Sequence, residues 1–187
     1  ISDTEDASLE IQEEDGSNNL SSTELSLVYD TRDNIFSPQK GVYFSNSFQL
    51  TGSFLGGDKD FTKFFSRLSL YFPAFNNSVI ETRFRAGFAD PFSDTEKVPI
   101  YKRFFAGGAS TIRGYHERKV GPIDGNEDPI GGEALFVGSI EYTYPLADFL
   151  KVATFYDIGN VWEKNSDFFK EEEEGDREAL YSSIGIG

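Results

Sequence analysis

Apolar and polar side chains alternate with a period of two along most of this chain, and segments rich in glycine, proline and acidic residues interrupt the alternation. The pattern predicts seven strands, over residues 24–30, 41–53, 62–72, 79–89, 132–144, 151–158 and 180–187. No amphipathic helix competes with them. Successive side chains of a strand point to opposite faces, and the two faces differ sharply. In the fourth strand Ile80, Thr82, Phe84, Ala86 and Phe88 oppose Glu81, Arg83, Arg85 and Gly87. The third sets Phe64, Leu68, Leu70 and Phe72 against Lys63, Arg67, Ser69 and Tyr71, with Phe65 out of place on the polar side. The second sets Val42, Phe44, Phe48 and Leu50 against Ser45, Ser47, Gln49 and Thr51, with Asn46 the exception on the apolar side.

Two architectures satisfy such an alternation. A soluble β-sandwich turns its apolar faces inward to a core, whereas a membrane barrel turns them outward to lipid and keeps the polar face for its lumen. Periodicity does not separate them; the connections favour the barrel. After two equal segments at 31–40 and 52–61, long ones at 90–131 and 159–179 alternate with short ones at 73–78 and 145–150, as when one side of a membrane carries loops and the other turns. The four predicted strands of 11 to 13 residues are long enough for a tilted crossing. Tyr29, Phe72, Phe88, Tyr142, Tyr144 and Trp162, near strand ends, suit interfacial girdles. The fold class expected is all-β, an antiparallel transmembrane β-barrel fragment.

Charge sharpens that expectation. The 187 residues carry 32 acidic and 17 basic side chains, a net charge of -15, which opposes nucleic-acid binding. The charge is segregated: the first 23 residues hold seven acidic and no basic side chains, and 163–178 holds eight acidic against three basic. Residues 1–23 therefore read as an acidic loop remnant and 24–187 as a partial barrel with a long loop at 90–131. The absence of cysteine removes disulfides and thiolate metal sites. No run of 18 apolar residues offers a helical span, and the opening residues lack the regions of a signal peptide, so an export signal is expected upstream.

The long loop contains Arg103-Phe104-Phe105-Ala106-Gly107-Gly108-Ala109-Ser110-Thr111-Ile112-Arg113-Gly114-Tyr115. This resembles the sixth-loop motif of BamA-type outer-membrane assembly factors (the bacterial surface antigen family), whose core of a branched aliphatic residue, Arg, Gly and an aromatic is matched by Ile112, Arg113, Gly114 and Tyr115. Two further family signatures follow in order, Gly131-Gly132-Glu133 leading to Ser139-Ile140-Glu141-Tyr142, and Phe155-Tyr156-Asp157-Ile158-Gly159-Asn160-Val161-Trp162. The resemblance runs from about residue 20 to residue 187 and implies about seven strands of a sixteen-stranded barrel, with a long inward-folding loop. Against the family pattern the chain lacks the periplasmic polypeptide-binding domains, the first barrel half and the closing strand, so its sheet alone is expected to be open at both edges.

The resemblance further implies that Arg113 meets carboxylates of the barrel wall at Glu141 and Asp157. The alternation permits this, since Glu141 lies opposite Ile140 and Tyr142, and Asp157 opposite Tyr156 and Ile158. A guanidinium offers a planar fork of donors to one or both carboxylates. Gly107 and Gly108, as loop hinges, and Gly114 are expected to allow a sharp path and close approach to the wall. The implied function is non-covalent: insertion of other barrel proteins into the cell outer membrane, without cofactor or metal. The partners implied are outer-membrane lipid, unfolded outer-membrane client proteins, and periplasmic accessory lipoproteins and chaperones. A polypeptide-secretion pore of the same family and a passive diffusion porin are the alternatives. Enzymatic readings are weaker, because the only histidine is His116, and Gly107-Gly108-Ala109-Ser110 lacks the nucleophile-elbow spacing. Asp124, Asn126 and Asp128 imitate the start of a calcium loop, but Pro129 stands where glycine is required. The run 171–174 reads as a solvated acidic loop.

Overall fold

Seven antiparallel strands form one sheet in sequence order: β1 (Ser22–Asp30), β2 (Gly41–Thr51), β3 (Phe61–Pro73), β4 (Val79–Pro91), β5 (Ala134–Ala147), β6 (Leu150–Trp162) and β7 (Tyr181–Ile186). The computed structural model describes residues 18–147, 149–168 and 180–187; most of the acidic stretch 1–23 and the run 171–174 lie outside them. Every sequence neighbour is also a spatial neighbour, the arrangement expected of strands joined by hairpins. The ends of β2, β4 and β6 lie at one end of the sheet, with the loops 52–60 and 92–133, and the ends of β1, β3 and β5 at the other, with 31–40 and 74–78.

Among the described residues the apolar face has no partner layer. Leu25, Phe48, Phe84, Ile140 and Tyr156 are exposed on it, so the sandwich, in which such side chains would meet in a core, does not form. The core lies on the polar face instead. Val98, Phe104, Ala106, Ile112 and Val120, all from the long loop, pack on Phe61, Ala89, Leu135, Val137 and Val161 of the strands. A sheet whose larger apolar face is bare, and whose other face is covered by its own loop, has the polarity of a barrel wall in lipid.

Strand boundaries depart from the local pattern in informative places. Gly159 and Asn160 read as the start of a turn, yet β6 continues to Trp162, because Leu135 and Ala134 of β5 pair with Val161 and Trp162. β5 starts at Ala134 instead of residue 132 and runs to Ala147 with an irregularity between Pro145 and Ala147, where proline cannot donate to the ladder. At the end of β2 the positive φ of Gly52 (77°) turns the chain into a short 3-10 turn, Ser53–Leu55, so the strand stops at Thr51. A one-turn helix, α1 (Asn165–Phe168), follows β6. Phe168 meets Phe88 and Trp162 edge to face at 5.4 and 4.9 Å, so Trp162, expected at an interface, is nearly covered.

Candidate functional site

The long loop reaches the polar face as a folded, internally bonded unit. Its base is held by Glu133, whose Oε1 accepts from the Val98 amide at 3.1 Å, and by Arg103, which donates from Nε to the Val98 carbonyl and from a terminal nitrogen to that of Ile130. Burial pushes the Glu133 carboxyl above its ordinary range, and the Val98 amide partly offsets this. Further in, Phe104 pairs with Gly132 and Ala106 with Val120. Gly107 and Gly108 have φ of 101° and 88°, values that side-chain-bearing residues rarely adopt. The chain can therefore reverse, with the Thr111 hydroxyl donating to the Gly107 carbonyl at 2.8 Å and the Gly108 amide to that of Tyr115 at 3.1 Å. The close approach these two glycines permit is to the loop's own return limb at His116 and Glu117, not to the wall as expected. Gly114, with φ 88°, turns the tip, and a β-carbon placed on it would meet only the Ser183 Cβ, at an ordinary 3.7 Å.

Arg113 projects from this tip onto β5 and β6. Its Nε donates to Asp157 Oδ2 at 2.7 Å and one terminal nitrogen to Oδ1 at 2.8 Å, a two-pronged pair to which the Arg113 backbone amide adds a third bond at 3.1 Å. The other terminal nitrogen donates to Glu141 Oε2 at 2.5 Å. The Ser139 hydroxyl lies between, donating to Asp157 at 2.5 Å and accepting from Arg113 at 3.2 Å. The guanidinium also lies over the Phe155 ring, 3.5 Å from its centre. Asp157 is completely buried. An isolated charge there would be prohibitive, and removing one member of a buried pair costs on the order of 3–5 kcal/mol. The flanking motif residues reinforce the contact. Ile112 is fully buried in the loop core, and Tyr115 donates its hydroxyl to the Ser182 carbonyl at 3.1 Å while meeting Tyr181 edge to face.

Residues 2–187 match the Omp85 superfamily domain. The chain belongs to the Omp85 superfamily. It is 31% identical to the outer membrane protein assembly factor BamA of Nitratidesulfovibrio vulgaris over 97% of its own length and 22% of that protein's. It is 32% identical to the sorting and assembly machinery component 50 homolog of Mus musculus over 75% of its length and 29% of that protein's. The crystal structure of BamA from Haemophilus ducreyi lacking POTRA domains 1–3 superposes with a TM-score of 0.73 at 24% identity, covering 88% of this chain and 35% of that one. The Omp85 chain thus spans about a fifth to a third of the length of these relatives. Its sheet has the fold of a segment of an outer-membrane barrel wall, with the polar face toward the lumen.

Several residues that shape this site carry no positive signal in the sequence. Phe65, the exception on the polar face of β3, is stacked on Phe104 at 6.1 Å between ring centres. The Phe104 ring also covers Gly87 of β4 and receives the Lys63 ammonium at 4.3 Å, while that ammonium donates to the Lys102 carbonyl at 2.5 Å. Phe155 and Gly185, opposite each other on β6 and β7, form a second ring-over-glycine pair, immediately under Arg113. The available signal was negative: an aromatic or a glycine where alternation calls for a polar side chain.

The other candidate residues have ordinary surroundings. His116 and Ser110 are exposed, and the His116 carbonyl closes a turn with the Lys119 amide. Asp124 spends its carboxylate on the amides of Asn126 and Asp128 at 2.9 and 2.7 Å, shaping the hairpin whose limbs pair at Ile123 and Pro129.

Proposed function

We propose that this chain supplies the wall and the inward-folded loop of a β-barrel insertase that assembles other barrel proteins in an outer membrane, and that it is not an enzyme. The observation that carries the reading is the Arg113 lock: a loop fastened to a lumen wall through a fully buried carboxylate. A loop locked to the wall by a buried ion pair is a fixed scaffold, and an open water-filled lumen for diffusion does not require one. An insertase needs a barrel that stays closed and shaped around a weaker seam, where client strands can pair by their edges. The names of the BamA and component 50 relatives, both assembly factors, support this choice over a secretion pore.

In this reading the long loops, including 92–133, face away from the compartment that delivers clients, and the bare apolar face meets lipid. Unfolded barrel proteins are the clients, and periplasmic lipoproteins and chaperones are the accessory partners in a bacterial cell. The role of Arg113 is positioning, since no bond is made or broken. Arg113→Ala and Asp157→Ala in the full-length protein should each lower the steady-state level of other outer-membrane proteins and weaken the fast-migrating, unheated gel form. Unchanged levels in both variants would sink the proposal. A large conductance in the wild-type protein, unaffected by removal of 94–128, would favour a diffusion pore.

A further inference from the structure

Two arginines outside the lock stand in an unusual relation. Arg67 of β3 and Arg85 of β4 are direct cross-strand partners on the lumen face, and both are half-buried. Like charges placed directly opposite in an antiparallel pair destabilise it. The neighbouring carboxylates are committed elsewhere: Glu81 and Glu141 lie with Arg83, and Glu141 and Asp157 with Arg113. Among the described residues no carboxylate pairs with Arg67 or Arg85. The Nε of Arg67 is shielded from solvent and finds no acceptor; the centre of the Phe65 ring lies 5.8 Å from the guanidinium carbon. Ala109, Ser110 and Thr111 of the loop tip line one small cavity together with Arg83, Arg85 and Arg113, and Arg67 lies outside it. Cations therefore outnumber carboxylates on this patch of wall, in a chain whose net charge is -15.

We infer that Arg67 and Arg85 together seat one oxyanion, a carboxylate or a phosphate-type group, on the lumen wall. Each guanidinium presents a fork that matches two oxygens, and one anion between them replaces a repulsion by two charge-assisted pairs. It would also give the Arg67 Nε the acceptor it lacks. The same chemistry can come from a free inorganic anion or from a carboxylate side chain on a polypeptide segment in the lumen. Nothing in the insertase reading requires this seat, so the two stand or fall separately.

The test uses the full-length protein in detergent, with thermal unfolding followed as chloride is replaced by inorganic phosphate at fixed ionic strength. With a free anion in the seat, phosphate raises the wild-type midpoint saturably, and Arg67→Gln and Arg85→Gln each abolish the rise. With a carboxylate in the seat, phosphate does nothing to the wild type, but each single variant unfolds earlier than wild type and the double variant is no worse than the weaker single one. The inference is overturned if the single variants match or exceed wild-type stability in both buffers, as relief of an unbridged repulsion demands, or if phosphate raises the midpoint of every form by the same amount. Arg67→Lys and Arg85→Lys, which keep the charge but lose the fork, are read by the same criteria should a glutamine variant fail to assemble; a reduced phosphate response or an earlier midpoint is expected.

Discussion

The ring of Phe104 lies directly on the backbone of Gly87, so a β-carbon at residue 87 would sit 2.5 Å from the ring's tip. The contact fastens the base of the long loop to β4, while the Arg113 lock fastens its tip to β5 and β6. Gly87→Ala should displace the ring from its stack with Phe65 and destabilise the folded barrel by about 1–3 kcal/mol, the usual cost of overpacking. Combining it with Phe104→Leu should cost less than the sum of the two single changes. A double-mutant cycle on the unfolding midpoint of the full-length protein checks this, and strict additivity would count against the contact.

Charge alone does not reproduce the Arg113 lock. Arg113→Lys keeps a cation but presents a compact point charge in place of the fork, so Asp157 loses its two-pronged partner and Glu141 cannot be reached at the same time. Most of the roughly 3–5 kcal/mol expected from breaking a buried pair should therefore be lost in the lysine variant as in the alanine one. Protease sensitivity of the loop, measured in intact membranes, should rise in both; a lysine variant as resistant as wild type would show that charge suffices.

Gly185 should tolerate no side chain. A β-carbon there would lie 2.5 Å from the Phe155 ring, and that ring cannot withdraw without leaving the Arg113 guanidinium above it. Gly185→Ala is expected to increase the loop's protease sensitivity in the same way as an Arg113 variant, with a stability loss of about 1–3 kcal/mol. Phe155→Leu in the same chain should restore part of it.

Glu133 gives the loop base a pH dependence of definite sign. Burial raises its carboxyl in the folded state, so its contribution to stability is complete below the ordinary carboxylate range and is lost as pH rises through the raised value. Glu133→Gln, which keeps an oxygen for the Val98 amide without a charge, should raise the unfolding midpoint at neutral pH and flatten the difference between acidic and neutral conditions. Unfolding curves of wild type and variant across that range decide it; a wild type that gains stability through the same window would reverse the assignment.

Much of this site was legible because strand geometry is so regular. Glu141 and Asp157 were assigned to the polar face from alternation alone, and both lie there with Ser139 between them. The loop motif drew attention to Arg113 through resemblance. What could not be read were the fillers of the polar face, Phe65, Gly87, Phe155 and Gly185, because their partners are distant in sequence and a glycine's purpose shows only when the ring above it is placed. The end of β6 departs from its local pattern for a related reason: Gly159 and Asn160 favour a turn locally, but β5 offers a ladder of hydrogen bonds that outweighs that preference.

The sequence by itself determined the seven strands, their two-faced character and the residues on each face, because a period of two fixes the direction of every side chain once one is known. Direction is not medium. Only the tertiary structure decided that the apolar face stays bare and that the loop's own apolar residues build the core on the charged face, because which face is covered depends on contacts between β3–β6 and a loop that no local pattern encodes. The same dependence makes Asp157 a buried anchor: its strand sets where it points, and the arrival of Arg113 from 44 residues away makes its burial affordable.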